Sequence, residues 1–150
     1  MQILAFADNE CEKSMKFPVH GDVNVEVSGQ IIIVHVRGPW NIELVQLSRS
    51  KSLPYVNDLS TQGCWALIVQ VSGSVVCTPD SLTLIKQGAD KDISGGKRIC
   101  TSYVITPDTE GYNLMLPIWH DIYRGKIPFE IFATLDEAVD WSHQQLLNSP

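Results

Sequence analysis

No apolar run in the sequence approaches the ~18 residues that a membrane-spanning helix requires, and none is predicted to cross a bilayer. The opening MQILAFA is too short for a signal peptide and has no basic flank, so a cytoplasmic protein is expected. Cationic residues are few. Eleven Lys and Arg stand against 17 Asp and Glu, a formal charge of −6, which argues against nucleic acid or an anionic membrane as the main partner. The four cysteines, Cys11, Cys64, Cys77 and Cys100, form no C-x-x-C pair, and no histidine stands at ligand spacing. Free thiols in a reducing compartment are predicted, with no metal site and no cofactor. A Walker loop and a G-x-S-x-G elbow are both missing. Ser94-Gly95-Gly96-Lys97 is no substitute, because it follows a helix and precedes a strand. A phosphate loop has the reverse order, so glycine here is expected to be a left-handed C-cap. No repeat, linker or low-complexity tract interrupts the chain.

What is there is an alternation of strands and helices. At 150 residues, 44% hydrophobic and 19% charged, the chain reads as one globular domain over residues 20–150 behind a poorly determined extension, residues 1–19. Val23, Val25 and Val27 alternate with polar residues, and QIIIVHVRG follows after a two-residue glycine turn, which predicts a β-hairpin over 23–37. Asn41 is placed to cap a helix over 42–60 that Pro54 should kink or split. Ile42, Val45, Arg49, Val56 and Leu59 share its phase. Cys64 to Val71 is almost wholly apolar without alternation, as a strand buried on both faces reads. Thr78, Pro79 and Asp80 supply an N-cap, a first-turn proline and a first-turn carboxylate to a helix carrying Leu82, Ile85 and Ala89. A strand over 98–106, a helix over 111–124 bent at Pro117, a short strand over 128–132 and a helix opened by the Thr134–Glu137 capping box complete the order. The expected fold class is α/β, with a mixed, mostly parallel five-stranded sheet, antiparallel only at the N-terminal hairpin and with Ala66–Val71 near its centre.

Reactive groupings are sparse. His20, His35, His120 and His143 are far apart in sequence, and His35 among aliphatics reads as a sheet residue. His120-Asp121 reads as the wet face of a helix. Cys77 precedes a helix N-terminus, a position that can lower a thiol pKa, but no histidine lies in the same segment. A non-enzymatic protein is expected.

The hairpin, GPWN, LIVQVSGSVVCTPDSLTLI and the closing IFATLDEAVDW resemble the SpoIIAA-like branch of the STAS superfamily over residues 20–147. That resemblance implies a SpoIIAA-like (STAS) fold and a regulatory interaction module similar to the anti-sigma-factor antagonists. Their switch is phosphorylation of a serine in an Asp-Ser-Ser-Gly motif opening the second helix. Here the motif falls on Thr78, Pro79, Asp80 and Ser81, which puts proline at the phosphorylated position and implies constitutive binding of a protein partner. The partner-binding residues expected are Ser72, Ser74, Thr78, Pro79, Asp80 and Ser81. A second copy of the chain is a further candidate partner. The branch is also similar in outline to the Sec14 lipid-binding domains. This implies an alternative, a carrier or sensor of a small hydrophobic, lipid-like ligand beneath the helix at 111–124, touching Tyr112, Met115 and Trp119.

Overall fold

A computed structural model describes residues 22–149 apart from Gly96. Cys11 and the extension expected at residues 1–19 lie outside the described residues. The elements are β1 (Asp22–Ser28), β2 (Ile31–Arg37), α1 (Ile42–Gln62), β3 (Trp65–Ser72), α2 (Pro79–Ser94), β4 (Arg98–Val104), α3 (Tyr112–Tyr123), β5 (Phe129–Phe132) and α4 (Leu135–Leu147). They build an α/β domain on a five-stranded sheet whose spatial order equals its chain order. β1 and β2 pair antiparallel through a turn at Gly29-Gln30, and β2, β3, β4 and β5 run parallel. β3 is the central strand, and its Val69 is 6% exposed.

This order determines where the helices lie. Each crossover from β2 to β5 moves the chain one strand further in the same direction, so crossovers of one hand put α1, α2 and α3 on one face. The main core lies there, joining Ile32, Val34, Val36, Val69 and Tyr103 of the sheet to Leu44, Val56, Ala89, Met115 and Trp119 of the three helices. α4 follows the last strand and covers the opposite face, where Ala138 packs with Ile31, Ile33, Ala66, Ile68 and Cys100. β3 therefore feeds a core on each side, which is why its sequence does not alternate. Beyond α4 the second face turns polar, and His35 Nε2 is hydrogen-bonded to Glu26 on the neighbouring strand.

The helix starts follow the capping residues. Asn41 accepts from the Leu44 N–H at 2.9 Å, and Thr134 accepts from that of Glu137 at 3.3 Å. Of the two outcomes expected at Pro54, a split or a kinked single helix, α1 is a single helix with Pro54 inside it. Proline there frees the carbonyl of Ser50, but both residues are exposed and water can satisfy it. Of the two glycines that could supply the expected left-handed cap, Gly95 is right-handed, with φ −70°. Its N–H still reaches the Lys91 carbonyl at 3.1 Å, so the last turn closes in right-handed geometry. Gly96 lies outside the described residues.

Candidate functional site

On the three-helix face the packing is incomplete. A cavity of about 500 Å³ lies over β2, β3 and β4 beneath α1 and α2, within the ~300–1,000 Å³ typical of small-molecule sites. Its floor is the aliphatic row Val34, Val36, Leu67 and Val69. The opening has a local cause. Along the cavity α1 presents Ser48 and Ser52, and α2 presents Gly88 and Ala89, so small side chains stand where larger ones would fill the space. Ser52 is turned to its own helix, donating to the Ser48 carbonyl at 2.7 Å. A Cβ added to Gly88 would meet nothing closer than Arg49, at 3.9 Å. Leu53 lies at the exposed side of the lining, 40% accessible.

The same wall carries three charged residues. Arg49 of α1 binds Asp92 of α2 with both arms, Nη1 to Oδ2 at 2.8 Å and Nη2 to Oδ1 at 2.9 Å. Arg98, at the start of β4, donates Nη2 to Asp92 Oδ2 at 2.7 Å and Nη1 to Thr101 Oγ1 at 3.2 Å. Its guanidinium also lies 5.7 Å from the Trp65 ring centroid, within cation–π range. The Asp92 and Arg98 side chains are 3% and 5% exposed, and that of Arg49 is 31% exposed. Burial pushes the Asp92 carboxyl up, but the hydrogen bonds and charges of Arg49 and Arg98 outweigh it and hold the group below its ordinary value. Burial opposes the Arg98 charge, and Tyr123 and Asp92 together more than restore it. Tyr103, also in the lining, is raised well above its usual pKa, chiefly by burial. Asp92 is thus a carboxylate held between two guanidinium groups. Two buried donors on lining residues, Arg98 Nε–H and Trp40 Nε1–H, have no partner.

The residues expected to bind a protein partner sit at the carboxyl ends of the strands. The segment after β3 is stitched to both neighbours: Gly38 N–H bonds to the Ser72 carbonyl, Trp40 N–H to that of Val76, and Val75 N–H to that of Glu110, each at 3.0 Å. Gly38 serves this closeness, because a Cβ there would lie 1.9 Å from the Ser74 carbonyl oxygen. Ser72, Thr78, Pro79 and Asp80 are exposed, whereas Ser74 and Ser81 are buried. Thr78 Oγ1 donates to Asp80 Oδ1 at 2.6 Å and receives the Ser81 hydroxyl at 2.6 Å. The Thr78 hydroxyl, helped by the Ser81 N–H, holds the Asp80 carboxyl below its ordinary pKa. Burial pushes the Cys77 thiol up to about 12, so it lacks thiolate character.

The residues expected beneath α3 do not line the cavity. Met115 and Trp119 are fully packed, with Trp119 5.5 Å from Trp40 and 4.9 Å from Tyr103, centroid to centroid, and Tyr112 is half-buried. The lining from α3 is Tyr123. Sequence reasoning missed Arg49, Asp92 and Arg98, although a signal was present. Arg49 stands four residues after Val45, and Asp92 three after Ala89, so each charge lies in the buried phase of its helix. A charge in an apolar stripe implies a buried partner. Among the described residues Cys64, Cys77 and Cys100 are free, and no three His, Cys, Asp or Glu side chains gather to hold a metal ion. No helix among them is long and apolar enough to cross a membrane. Comparison with protein-family models and with curated proteins gives no match to the chain.

Proposed function

We propose that this is a non-enzymatic binding domain, a carrier or sensor of a small apolar molecule held between the sheet and helices α1 and α2. The observation that carries the reading is the aliphatic cavity of about 500 Å³ with a charged cluster in its wall. Burying each methylene of a ligand there is worth about 0.8 kcal/mol, so a medium-length chain has enough driving force to bind. Asp92 is engaged by both arginines, and neither a cysteine nor a histidine lines the space, which favours binding over catalysis. A SpoIIAA-like (STAS) assignment for the domain is supported by the hairpin followed by three parallel crossovers and by the Thr78–Ser81 helix start. On that assignment a protein partner docks at exposed Thr78, Pro79 and Asp80 without a phosphorylation cycle, since Pro79 has no hydroxyl and Ser81 is enclosed.

The test is a fluorescence titration with N-phenylnaphthylamine, a neutral apolar fluorophore that brightens when desolvated. Saturable one-to-one binding is expected for the wild type, with at least tenfold weaker binding when Gly88→Phe fills the space between the helices. Absence of saturable binding, or equal binding by that variant, would contradict the proposal.

A further inference from the structure

The cavity's chemistry restricts its ligand further than its volume does, and the restriction rests on the ligand-binding reading above. Arg49, Asp92 and Arg98 are the charged residues of the lining, and they sum to one surplus positive charge beside an aliphatic floor. Asp92 pairs with the enclosed Arg98 and also with Arg49, so the surplus lies towards Arg49, whose side chain is 31% exposed at the cavity. The unsatisfied hydrogen-bonding atoms of the lining have the same bias. Arg98 Nε–H and Trp40 Nε1–H are both donors, on side chains more than nine-tenths buried, and no buried side-chain acceptor of the lining residues lacks a partner. Arg98 already uses Nη1 on Thr101 and Nη2 on Asp92, so Nε–H is a remaining donor on a guanidinium built for five. Arg49, the most accessible of the three, commits two N–H groups to Asp92.

What is missing is one negative charge that carries acceptors and no donor. We infer that the ligand is an aliphatic monocarboxylate, its carboxylate taken by the Arg98–Arg49 side of the cluster and its chain laid over Val34, Leu67 and Val69. An ammonium head would add a second surplus cation and more donors. An alcohol would offer an acceptor but no charge. A phosphate dianion would exceed the surplus and leave a negative charge uncompensated. A carboxylate matches both the charge and the donors, and a guanidinium is the side chain whose geometry suits it.

The experiment displaces bound N-phenylnaphthylamine from the full chain with three probes of equal chain length, decanoate, decanol and decyltrimethylammonium, each below its micellar concentration. Decanoate should displace at a concentration at least tenfold lower than decanol, and the ammonium probe should be weakest. Arg49→Gln, which removes the surplus charge, should abolish the preference for decanoate over decanol. Should that variant fail to fold, the ranking of the three probes on the wild type decides alone. If decanol matches or exceeds decanoate, the carboxylate inference is overturned and the apolar-cavity reading stands. If none displaces the fluorophore, or the fluorophore does not bind, both are overturned.

Discussion

Replacing Asp92 with Asn removes one formal charge and almost no volume, so its effect isolates the electrostatics of the cluster. The carboxylate receives three charge-assisted hydrogen bonds, at 2.8, 2.9 and 2.7 Å, from two guanidinium groups. An Asn side chain keeps one acceptor oxygen and turns an NH₂ group towards donors. Arg98, with its side chain 5% exposed, cannot recover hydration in exchange. Stranding a buried charge in this way costs about 3–5 kcal/mol, and the residual amide oxygen places the expectation near the low end, about 3 kcal/mol. For a domain of this size that is a fall in Tm of roughly 10 °C. Arg49→Gln should cost less, about 1 kcal/mol, since that arginine is partly solvated. Urea denaturation with unchanged m-values measures both. An Asp92→Asn loss below about 1 kcal/mol, or one smaller than that of Arg49→Gln, would refute the reasoning. The pH dependence has a fixed sign. The folded pKa of Asp92 lies below its unfolded value of about 3.9. The stabilisation is therefore complete above that value and disappears as pH falls through the folded pKa. Asp92→Asn should remove this part of the acid sensitivity.

Three further outcomes are expected. Gly111→Ala should destabilise by about 1–2 kcal/mol or more, because φ is +84° and the new Cβ would lie 2.5 Å from Val76 Cγ2; a denaturation midpoint equal to wild type would count against the described α3 entry. Thr78→Ala should cost about 1 kcal/mol through loss of the α2 N-cap, again read from the urea midpoint, and no loss would mean that the Asp80 carboxylate caps α2 unaided. Burial raises the Cys77 and Cys100 thiols to about 12, so a brief iodoacetamide pulse at pH 8 should modify neither in the native protein and both after unfolding, as peptide mapping reports.

Element type was legible wherever a local cause acts alone. The Thr78-Pro79-Asp80 start, the Asn41 cap and the Thr134–Glu137 box each encode a helix end in adjacent residues, and the described caps use those side chains. β3 was legible as central because burial on both faces removes alternation. Pro54 left a split and a single helix both open because its cost depends on whether Ser50 reaches water, a tertiary fact. The conformation of Gly95 was not legible, because residue type permits a left-handed cap without requiring one. The cavity was not legible at all. It arises where Ser48 and Ser52 of one helix meet Gly88 and Ala89 of another, a pairing set by how the two helices sit on the sheet. Arg49 and Asp92, separated by 43 residues, could be suspected individually but not joined. The apolar stripe of α3, with Tyr112, Met115 and Trp119, looked equally capable of covering a ligand, and Met115 and Trp119 are instead filled in by neighbouring aromatic and aliphatic side chains.

Methyl-labelled NMR spectra recorded during a decanol titration test the central claim most directly, since a neutral probe depends on the cavity and not on the charge of its head. The account predicts saturable one-to-one shifts at Val34, Leu67, Val69 and Ile85, all in the cavity wall, with Met115 and Ile118 of α3 little changed. Shifts confined to Met115 and Ile118, or none that saturate, would contradict it.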